Sequence, residues 1–163
     1  MARGGGGAPA SPPSFLRYPS RVPSLVEDPE EIRAIARSLR RVAVLGIKTS
    51  AQAMQPAYYV PAYLAAAGVE IVPVPTYFPD VAEILGRPVV RDLRAVGAVD
   101  LVDVFRRPAD LEAHLPDLLA LHPPLVWLQQ GIRHEGFARA LTDAGIRVVS
   151  DRCLMVEHRA AVR

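Results

Sequence analysis

The chain has 163 residues, of which 50% are hydrophobic, and a formal net charge of +2. This length and apolar content predict one domain, while the small and scattered charge argues against nucleic acid as a partner. A single cysteine excludes an internal disulfide framework, and no apolar stretch reaches the roughly 20 residues of a membrane helix. With a glycine run instead of a secretory signal near the N-terminus, we expect a cytoplasmic protein without a membrane partner.

Residues 1–25 are predicted to form a disordered tail. Four consecutive glycines are followed by five prolines interspersed with serines, a composition that cannot offset the entropy cost of ordering. The folded domain is expected over residues 26–163. Residues 28–31 read Asp-Pro-Glu-Glu, which is typical of a helix start with aspartate as the N-cap, and apolar residues then recur with helical spacing up to Leu39.

After this helix, apolar runs typical of strands alternate with helical stretches. We predict strands at 42–45, 69–74, 88–90, 101–105, 125–128 and 146–149, and helices near 57–67, from 115, and at 133–144. We also expect Pro61 to lie in the first turn of its helix, where no N–H is needed, and a short helical turn at 80–85. This alternation predicts a single α/β domain, doubly wound, with a mainly parallel sheet of five or six strands.

Three of the predicted strands end abruptly in polar tips. These tips are Gly46-Ile47-Lys48-Thr49-Ser50, Phe105-Arg106-Arg107-Pro108 and Gln129-Gln130-Gly131. The carboxyl ends of parallel strands share one edge of a sheet, and ligands bind there near the point at which strand order reverses. The tips supply a small-residue turn, a lysine, two arginines and amides, which is the chemistry of a site for an anionic cofactor.

The first tip is informative for what it lacks. It has neither the G-x-G-x-x-G turn of a dinucleotide site nor a Walker loop, and strand two ends in Pro75-Thr76 without a carboxylate. These absences disfavour NAD. The loop's N–H groups, its hydroxyls and Lys48, the only lysine in the chain, either surround a phosphate or form an ordinary solvated loop.

The remaining candidate groups are two arginines, a cysteine, three histidines and a tryptophan. Arg106 and Arg107 either face a ligand or form salt bridges to Asp103 or Asp110. Cys153 is expected to be a buried structural cysteine, because no second cysteine or close histidine completes a zinc set. Without a Ser-His-Asp order or paired carboxylates, we assign no catalytic residue and no metal ligand. We expect solvated histidines at 114, 122 and 134 and a packing role for the tryptophan at 127.

Several segments carry a resemblance to a known family. They read Ile-Lys-Thr-Ser at 47–50, Val-Asp-Val-Phe-Arg-Arg-Pro at 102–108, Val-Trp-Leu-Gln-Gln-Gly-Ile at 126–132 and Asp-Arg-Cys-Leu-Met-Val-Glu-His at 151–158. With them, the chain from 41 to 158 resembles the small stand-alone CoA-binding-domain proteins, whose Rossmann-like fold is shared with the CoA-binding part of succinyl-CoA synthetase. Two positions depart from the family pattern: Pro75-Thr76 replaces a frequent Asn-Pro, and Tyr59 replaces a frequent glycine.

The resemblance implies that the carboxyl edge binds coenzyme A or an acyl-CoA, without catalysis by this chain alone. The first loop, from Gly46 to Ser50, would then hold the pyrophosphate. Pro75 and Thr76 would line the adenosine side, and Phe105, Arg106 and Gln129 would complete the site. Two other functions remain open: a nucleotide-sensing regulatory protein, and a partner-dependent acyl-CoA transferase or ligase subunit. A protein partner and the oligomeric state are also left open.

Overall fold

The computed structural model describes residues 25–163. The tail predicted over 1–25 therefore lies outside the described residues, apart from Leu25. This residue forms an isolated parallel bridge with Val148, and the next residue, Val26, donates its N–H to Val148 O at 2.8 Å. The described part of the chain thus begins against an edge of the sheet.

The described residues form seven strands. They are β1 (Arg41–Leu45), β2 (Glu70–Val74), β3 (Glu83–Ile84), β4 (Arg87–Pro88), β5 (Leu101–Val104), β6 (Leu125–Leu128) and β7 (Arg147–Val149). Five of them make a parallel sheet in the order β2-β1-β5-β6-β7, while β3 and β4 pair separately and antiparallel. The predicted α/β, doubly wound and mainly parallel architecture is confirmed.

The helical turn predicted at 80–85 is wrong, because this segment forms a hairpin with β4. Leu85 and Gly86 connect the two strands with φ angles of 54° and 70°. Two successive residues with positive φ are typical of the two-residue turns that close antiparallel hairpins. The strand predicted at 88–90 is likewise replaced by the two residues of β4, outside the main sheet.

Five helices cover the two faces of the sheet. They are α1 (Pro29–Arg37), α2 (Pro56–Ala66), α3 (Leu115–Leu121), α4 (Glu135–Asp143) and α5 (Leu154–Ala161). One core contains buried residues of α1, α2 and α5, and the other contains those of α3 and α4. Along β1, Val42 and Val44 face the first core, whereas Ala43 and Leu45 face the second, as expected for a strand covered on both sides.

The sequence predicted the start of the first helix, α1, but it did not predict the last helix, α5. The predicted N-cap of α1 is confirmed, since the Asp28 carboxylate accepts the Glu31 N–H at 2.9 Å. Helix α5 was not predicted. None of the helices in residues 25–163 is long and apolar enough to cross a membrane.

Candidate functional site

The strand order reverses between β1 and β5, and the tips of these two strands are in contact. Gly46, directly after β1, has φ of 85°, and a Cβ at this position would overlap Phe105 O and lie 3.1 Å from Arg106 Cδ. Only glycine combines this backbone conformation with so close an approach. The structure therefore brings the first and second predicted tips together at the topological switch point, where doubly wound sheets bind ligands.

The backbone of the first loop is tied to its surroundings. Three N–H groups donate within the chain at 2.9 to 3.1 Å: Gly46 to Val74 O, Lys48 to Ala57 O, and Thr49 to Gln52 Oε1. The Thr49 hydroxyl also donates to Gln52 Oε1 at 2.7 Å. These three N–H groups are occupied within the protein, and a phosphate-binding role of the loop stays a prediction. The Lys48 ammonium and the exposed Ser50 remain available.

The bond from Lys48 N to Ala57 O has its origin in Pro61. We expected this proline in the first turn of its helix, but α2 begins at Pro56, so Pro61 lies inside the helix and is buried. Proline has no N–H, and the carbonyl four residues earlier loses its helical partner. That carbonyl belongs to Ala57, and Lys48 N donates to it at 3.1 Å. The proline thus leaves an acceptor that anchors the first loop.

The Lys48 ammonium lies beside an aromatic loop that follows β2. Its Nζ is 5.9 Å from the centroid of the Phe78 ring, and Phe78 forms an edge-to-face pair with Tyr77. Arg91 fixes this loop by donating to the carbonyls of Tyr77, Phe78 and Val81 at 3.1, 2.7 and 2.7 Å. Within residues 25–163, Lys48 has no carboxylate within 4.0 Å. Its positive charge is therefore available to an anion.

Arg106, in contrast, is engaged by the protein. Its Nη1 donates to Thr76 Oγ1 at 3.0 Å, its Nε donates to His114 Nε2 at 3.1 Å, and its Nη2 lies 3.7 Å from Asp110 Oδ2. Arg107 also pairs with Asp110, at 2.8 Å, and this hydrogen bond lowers the pKa of the Asp110 carboxyl. The two arginines thus form salt bridges, and Arg106 connects the tips of β2 and β5.

Thr76, Asp110 and His114 hold the Arg106 guanidinium, and we call these contacts the Arg106 clamp. His114 was missed as a site residue, because we expected it to be solvated. Burial, and then the charge of Arg106, lowers the pKa of this half-buried histidine. The ring accepts from Arg106 through Nε2, and a guanidinium only donates. With Nε2 as the acceptor, the proton of the neutral ring resides on Nδ1. In the sequence, His114 lies in the connection after β5, eight residues beyond Arg106. Neither helical nor strand periodicity predicts a contact at this spacing.

A cleft of about 570 Å³ opens beside the tips of β1 and β2. Its walls combine apolar residues from the sheet with polar groups from the surrounding loops, and they include both predicted adenosine-side residues, Pro75 and Thr76. The lining residues are Leu45, Val74, Pro75, Thr76, Tyr77, Pro79, Arg91, Leu93, His114 and Asp117. An apolar floor with a few polar groups at its rim is typical of small-molecule sites.

Three of the predicted site residues turn away from this cleft. The side chain of Ile47 is 1% exposed and lies in the core beneath α1, α2 and α5, and Phe105 packs against the same core. Gln129 is 4% exposed, and its side chain bonds within the protein. The side chains of Ile47 and Gln129 therefore pack or bond within the protein and Phe105 is partly buried, so a ligand contact from these residues stays a prediction.

The partner of Gln129 is Asp103, which pairs with neither of the neighbouring arginines. Gln129 Nε2 donates to Asp103 Oδ1 at 2.7 Å, and Gln129 Oε1 accepts from Leu154 N at 3.3 Å. Burial raises the pKa of Asp103 to about 8, against the opposing effect of the hydrogen bonds from Gln129 and the Val104 backbone. The sequence signal for this site was an aspartate in an otherwise apolar strand.

A second cleft, of about 790 Å³, lies at the other end of the same edge, beyond β7. It is lined by three arginines and three carboxylates, so its charges balance, and Arg133 is paired with Asp151 at 3.0 Å. We therefore place the candidate anion site at β1, β2 and β5 instead.

Cys153 is half-buried, not fully buried as expected. No group of three or more metal-ligating side chains occurs in the described part of the chain.

Comparisons with known proteins agree on the fold. A family model described as "CoA binding domain" matches residues 40–159. The chain is 33% identical over 129 residues to the uncharacterized protein YneT of Bacillus subtilis (strain 168), covering 78% of this chain and 92% of that protein. It is similar to the solved structure of cell-free ID.343 from Thermus thermophilus, with 46% identity, a TM-score of 0.76, and coverage of 83% and 99%. A hypothetical protein from Pyrococcus horikoshii OT3, at 24% identity and a TM-score of 0.74 over 84% and 94% of the two chains, shares the fold.

Proposed function

The chain belongs to the family of CoA-binding domains, and we propose that it binds coenzyme A or an acyl-CoA at the carboxyl edge of β1, β2 and β5. The observation that carries this proposal is the family match over residues 40–159, which spans all five strands of the main sheet and the loops around the crevice. We assign the binding domain to residues 26–163, with 1–25 outside it. Binding without catalysis by this chain alone is part of the proposal.

The ligand's phosphates are assigned to the first loop. Lys48 has an ammonium with no carboxylate partner in the described part of the chain, and its backbone is held by Ala57 O. A compact ammonium on a flexible stem suits a phosphate oxygen. Ser50, exposed at the start of a 3₁₀ turn, offers a hydroxyl beside it. Thr49 contributes by holding the loop through Gln52.

The adenosine part of the ligand is assigned to the cleft of about 570 Å³, whose volume lies within the usual range for small-molecule sites. Leu45, Val74 and Pro75 offer an apolar surface to the base. Thr76 lies in the wall of this cleft, and its hydroxyl accepts a hydrogen bond from the Arg106 guanidinium at 3.0 Å. The residues that line this cleft therefore suit an adenosine group.

The geometry at the end of β2 favours CoA over NAD. A dinucleotide site uses a carboxylate at this position to bind a ribose hydroxyl. Here the position is occupied by Thr76, whose Oγ1 accepts from Arg106 Nη1 at 3.0 Å. The alternative of a nucleotide sensor for a different adenine nucleotide is thereby left as an outcome of the binding experiment.

Isothermal titration calorimetry with CoA, acetyl-CoA and dephospho-CoA tests the proposal. We expect saturable binding of CoA and acetyl-CoA that weakens as salt rises, because salt screens attraction between exposed charges. Equal binding of dephospho-CoA would assign the affinity to the pyrophosphate rather than the ribose phosphate. The absence of binding at millimolar CoA and acetyl-CoA, in the parent and in Tyr59→Gly, would overturn the proposed function. The glycine variant tests whether the half-exposed Tyr59 blocks access.

A further inference from the structure

A carboxyl group lies buried in β5, two residues before the tip residue Phe105 and on the face of the sheet that carries α1, α2 and α5. Asp103 has no exposed surface, and its Oδ1 accepts a hydrogen bond from Gln129 at 2.7 Å. Its Oδ2 is also buried and has no hydrogen-bond partner within residues 25–163. Gln129 uses its other atom, Oε1, to accept from Leu154 N in the first turn of α5. Asp103 therefore helps to fix the tip of β6 and the start of α5.

Within residues 25–163, no arginine, lysine or histidine forms an ion pair with Asp103. Val44 of β1 and Trp127 of β6 are its neighbours in the sheet. The uncharged titratable groups on this side are Tyr63 of α2, Cys153 just before α5 and His158 of α5, and burial lowers the pKa of His158. The charged groups between α1 and α5 pair with one another, since Glu157 lies 3.3 Å from Arg152 and 4.0 Å from Arg33. None of these groups hydrogen-bonds to Asp103, and α1 contributes apolar residues to this core. An unpaired buried charge is far more costly than a neutral acid.

Building on the proposed function, we propose that Asp103 is a positioning residue held in its protonated form, and that its ionisation weakens ligand binding in the crevice above it. Asp103 precedes the tip residue Phe105 by two positions, which places it about 7 Å below the tip at the usual rise of a strand. A negative charge there repels the ligand's phosphates through a poorly screening interior. Ionisation also changes the acceptor to which Gln129, and through it α5, is bonded.

The sign of the pH effect follows from linkage. A bound anion disfavours the ionised carboxyl, so the pKa of Asp103 in the complex lies above the value of about 8 in the free protein. At a pH between those two pKa values, loss of the Asp103 proton is linked to dissociation of the ligand. Affinity then falls by up to tenfold for each unit of rising pH, because one proton is linked to binding.

The test is the ratio of acetyl-CoA affinities at pH 7 and pH 9, measured by calorimetry. Acetyl-CoA is used because its blocked thiol does not titrate. In the parent protein we expect binding about five- to tenfold weaker at pH 9. Asp103→Asn retains an acceptor for Gln129 but cannot ionise, and its ratio should lie within twofold of one. Cys153→Ser is the matched control, which removes the nearby thiol and leaves Asp103 in place, so it should retain the parent's ratio.

Stability gives an independent measure of the same ionisation. The pKa of Asp103 is about 8 in the folded protein and about 3.9 when unfolded, so the folded state binds more protons between these values. The free energy of unfolding therefore decreases as pH rises from about 4 to about 8 and levels off above it. Asp103→Asn should lack this component, so the parent's thermal midpoint should fall relative to that of the variant between pH 5 and pH 8.

The outcomes separate this inference from the proposed function. No binding of acetyl-CoA at either pH overturns the proposed function and, with it, the inference. Binding with an affinity ratio near one in the parent protein overturns the inference alone, and this measurement needs no variant to fold. The same conclusion follows if Asp103→Asn, shown to be folded by circular dichroism, keeps the parent's pH ratio, or if the thermal midpoints of parent and variant change in parallel.

Discussion

The first loop and the tip of β5 each place a cation at the switch point, but only one of these cations is free. Lys48 has an aromatic neighbour and, in the described residues, no carboxylate partner. Arg106 is bonded to Thr76 and His114 and lies close to Asp110. The comparison teaches that the charge of a site residue and its availability are separate properties. We therefore propose that Lys48 contacts the ligand and that Arg106 holds the framework.

The two regions depend on each other through Gly46. Replacing Gly46 with alanine should lower the free energy of unfolding by about 3 kcal/mol or more, because backbone strain at positive φ adds to overlap with Phe105 O. Urea denaturation monitored by circular dichroism measures this change. It is the largest effect that we predict, and it would separate the tips of β1 and β5.

Gly131 offers a matched control at the same edge of the sheet. Its φ is 84°, but nothing lies within 4 Å of a Cβ added there. Gly131→Ala should therefore show only the conformational strain, about 1 kcal/mol. An equal decrease in the free energy of unfolding of the two variants would show that the contact between the tips of β1 and β5 contributes nothing to stability. The two regions would then be independent of each other.

Removing the Arg106 side chain tests its framework role. Arg106→Ala should lower the free energy of unfolding by about 1–3 kcal/mol, since Thr76 and His114 lose a charged donor in a partly buried site. Thermal and urea unfolding measure the loss. Arg107→Ala is the control, because Arg107 is 84% exposed at its side chain and pairs only with Asp110 among the described residues; little change is expected. A stable Arg106→Ala protein would remove the basis for treating the clamp as structural.

A smaller effect concerns the choice of cofactor. We expect NAD to bind at least tenfold more weakly than CoA, a difference of about 1.4 kcal/mol, because the end of β2 offers Thr76 and no carboxylate for the ribose. Competition calorimetry with both ligands measures the ratio. Comparable affinities would favour the nucleotide-sensing alternative. They would also show that the end of β2 does not discriminate between the two cofactors.

Most of the fold was predictable because its signals are local. Short apolar runs and helix starts such as Asp28-Pro29 depend on neighbouring residues. Helix α5 escaped because it has only eight residues, and one of its two buried positions is His158, which interrupts the apolar period. The hairpin at 83–88 escaped because its turn includes Leu85 at φ of 54°, an unusual residue for a left-handed position.

The site was less predictable, because its contacts join distant parts of the chain. The sequence identified the strand tips correctly, and strand adjacency brings Gly46 to Phe105 and Arg106. It did not reveal that Arg106 reaches Thr76, 30 residues away, or that Gln129 turns inward to Asp103. Such side-chain directions depend on tertiary packing, which residue type and spacing do not encode.

The most direct measurement of the central claim is calorimetric titration of CoA into Lys48→Ala and Arg106→Ala beside the parent protein. Lys48→Ala should lose about 1–3 kcal/mol of CoA binding free energy, the range for a hydrogen bond to a charged group, with its thermal midpoint nearly unchanged. Arg106→Ala should lower the free energy of unfolding, and it should lose less CoA binding free energy than Lys48→Ala. If Lys48→Ala binds CoA as tightly as the parent while Arg106→Ala, still folded, does not, the phosphate contact belongs to Arg106 and the assignment is contradicted.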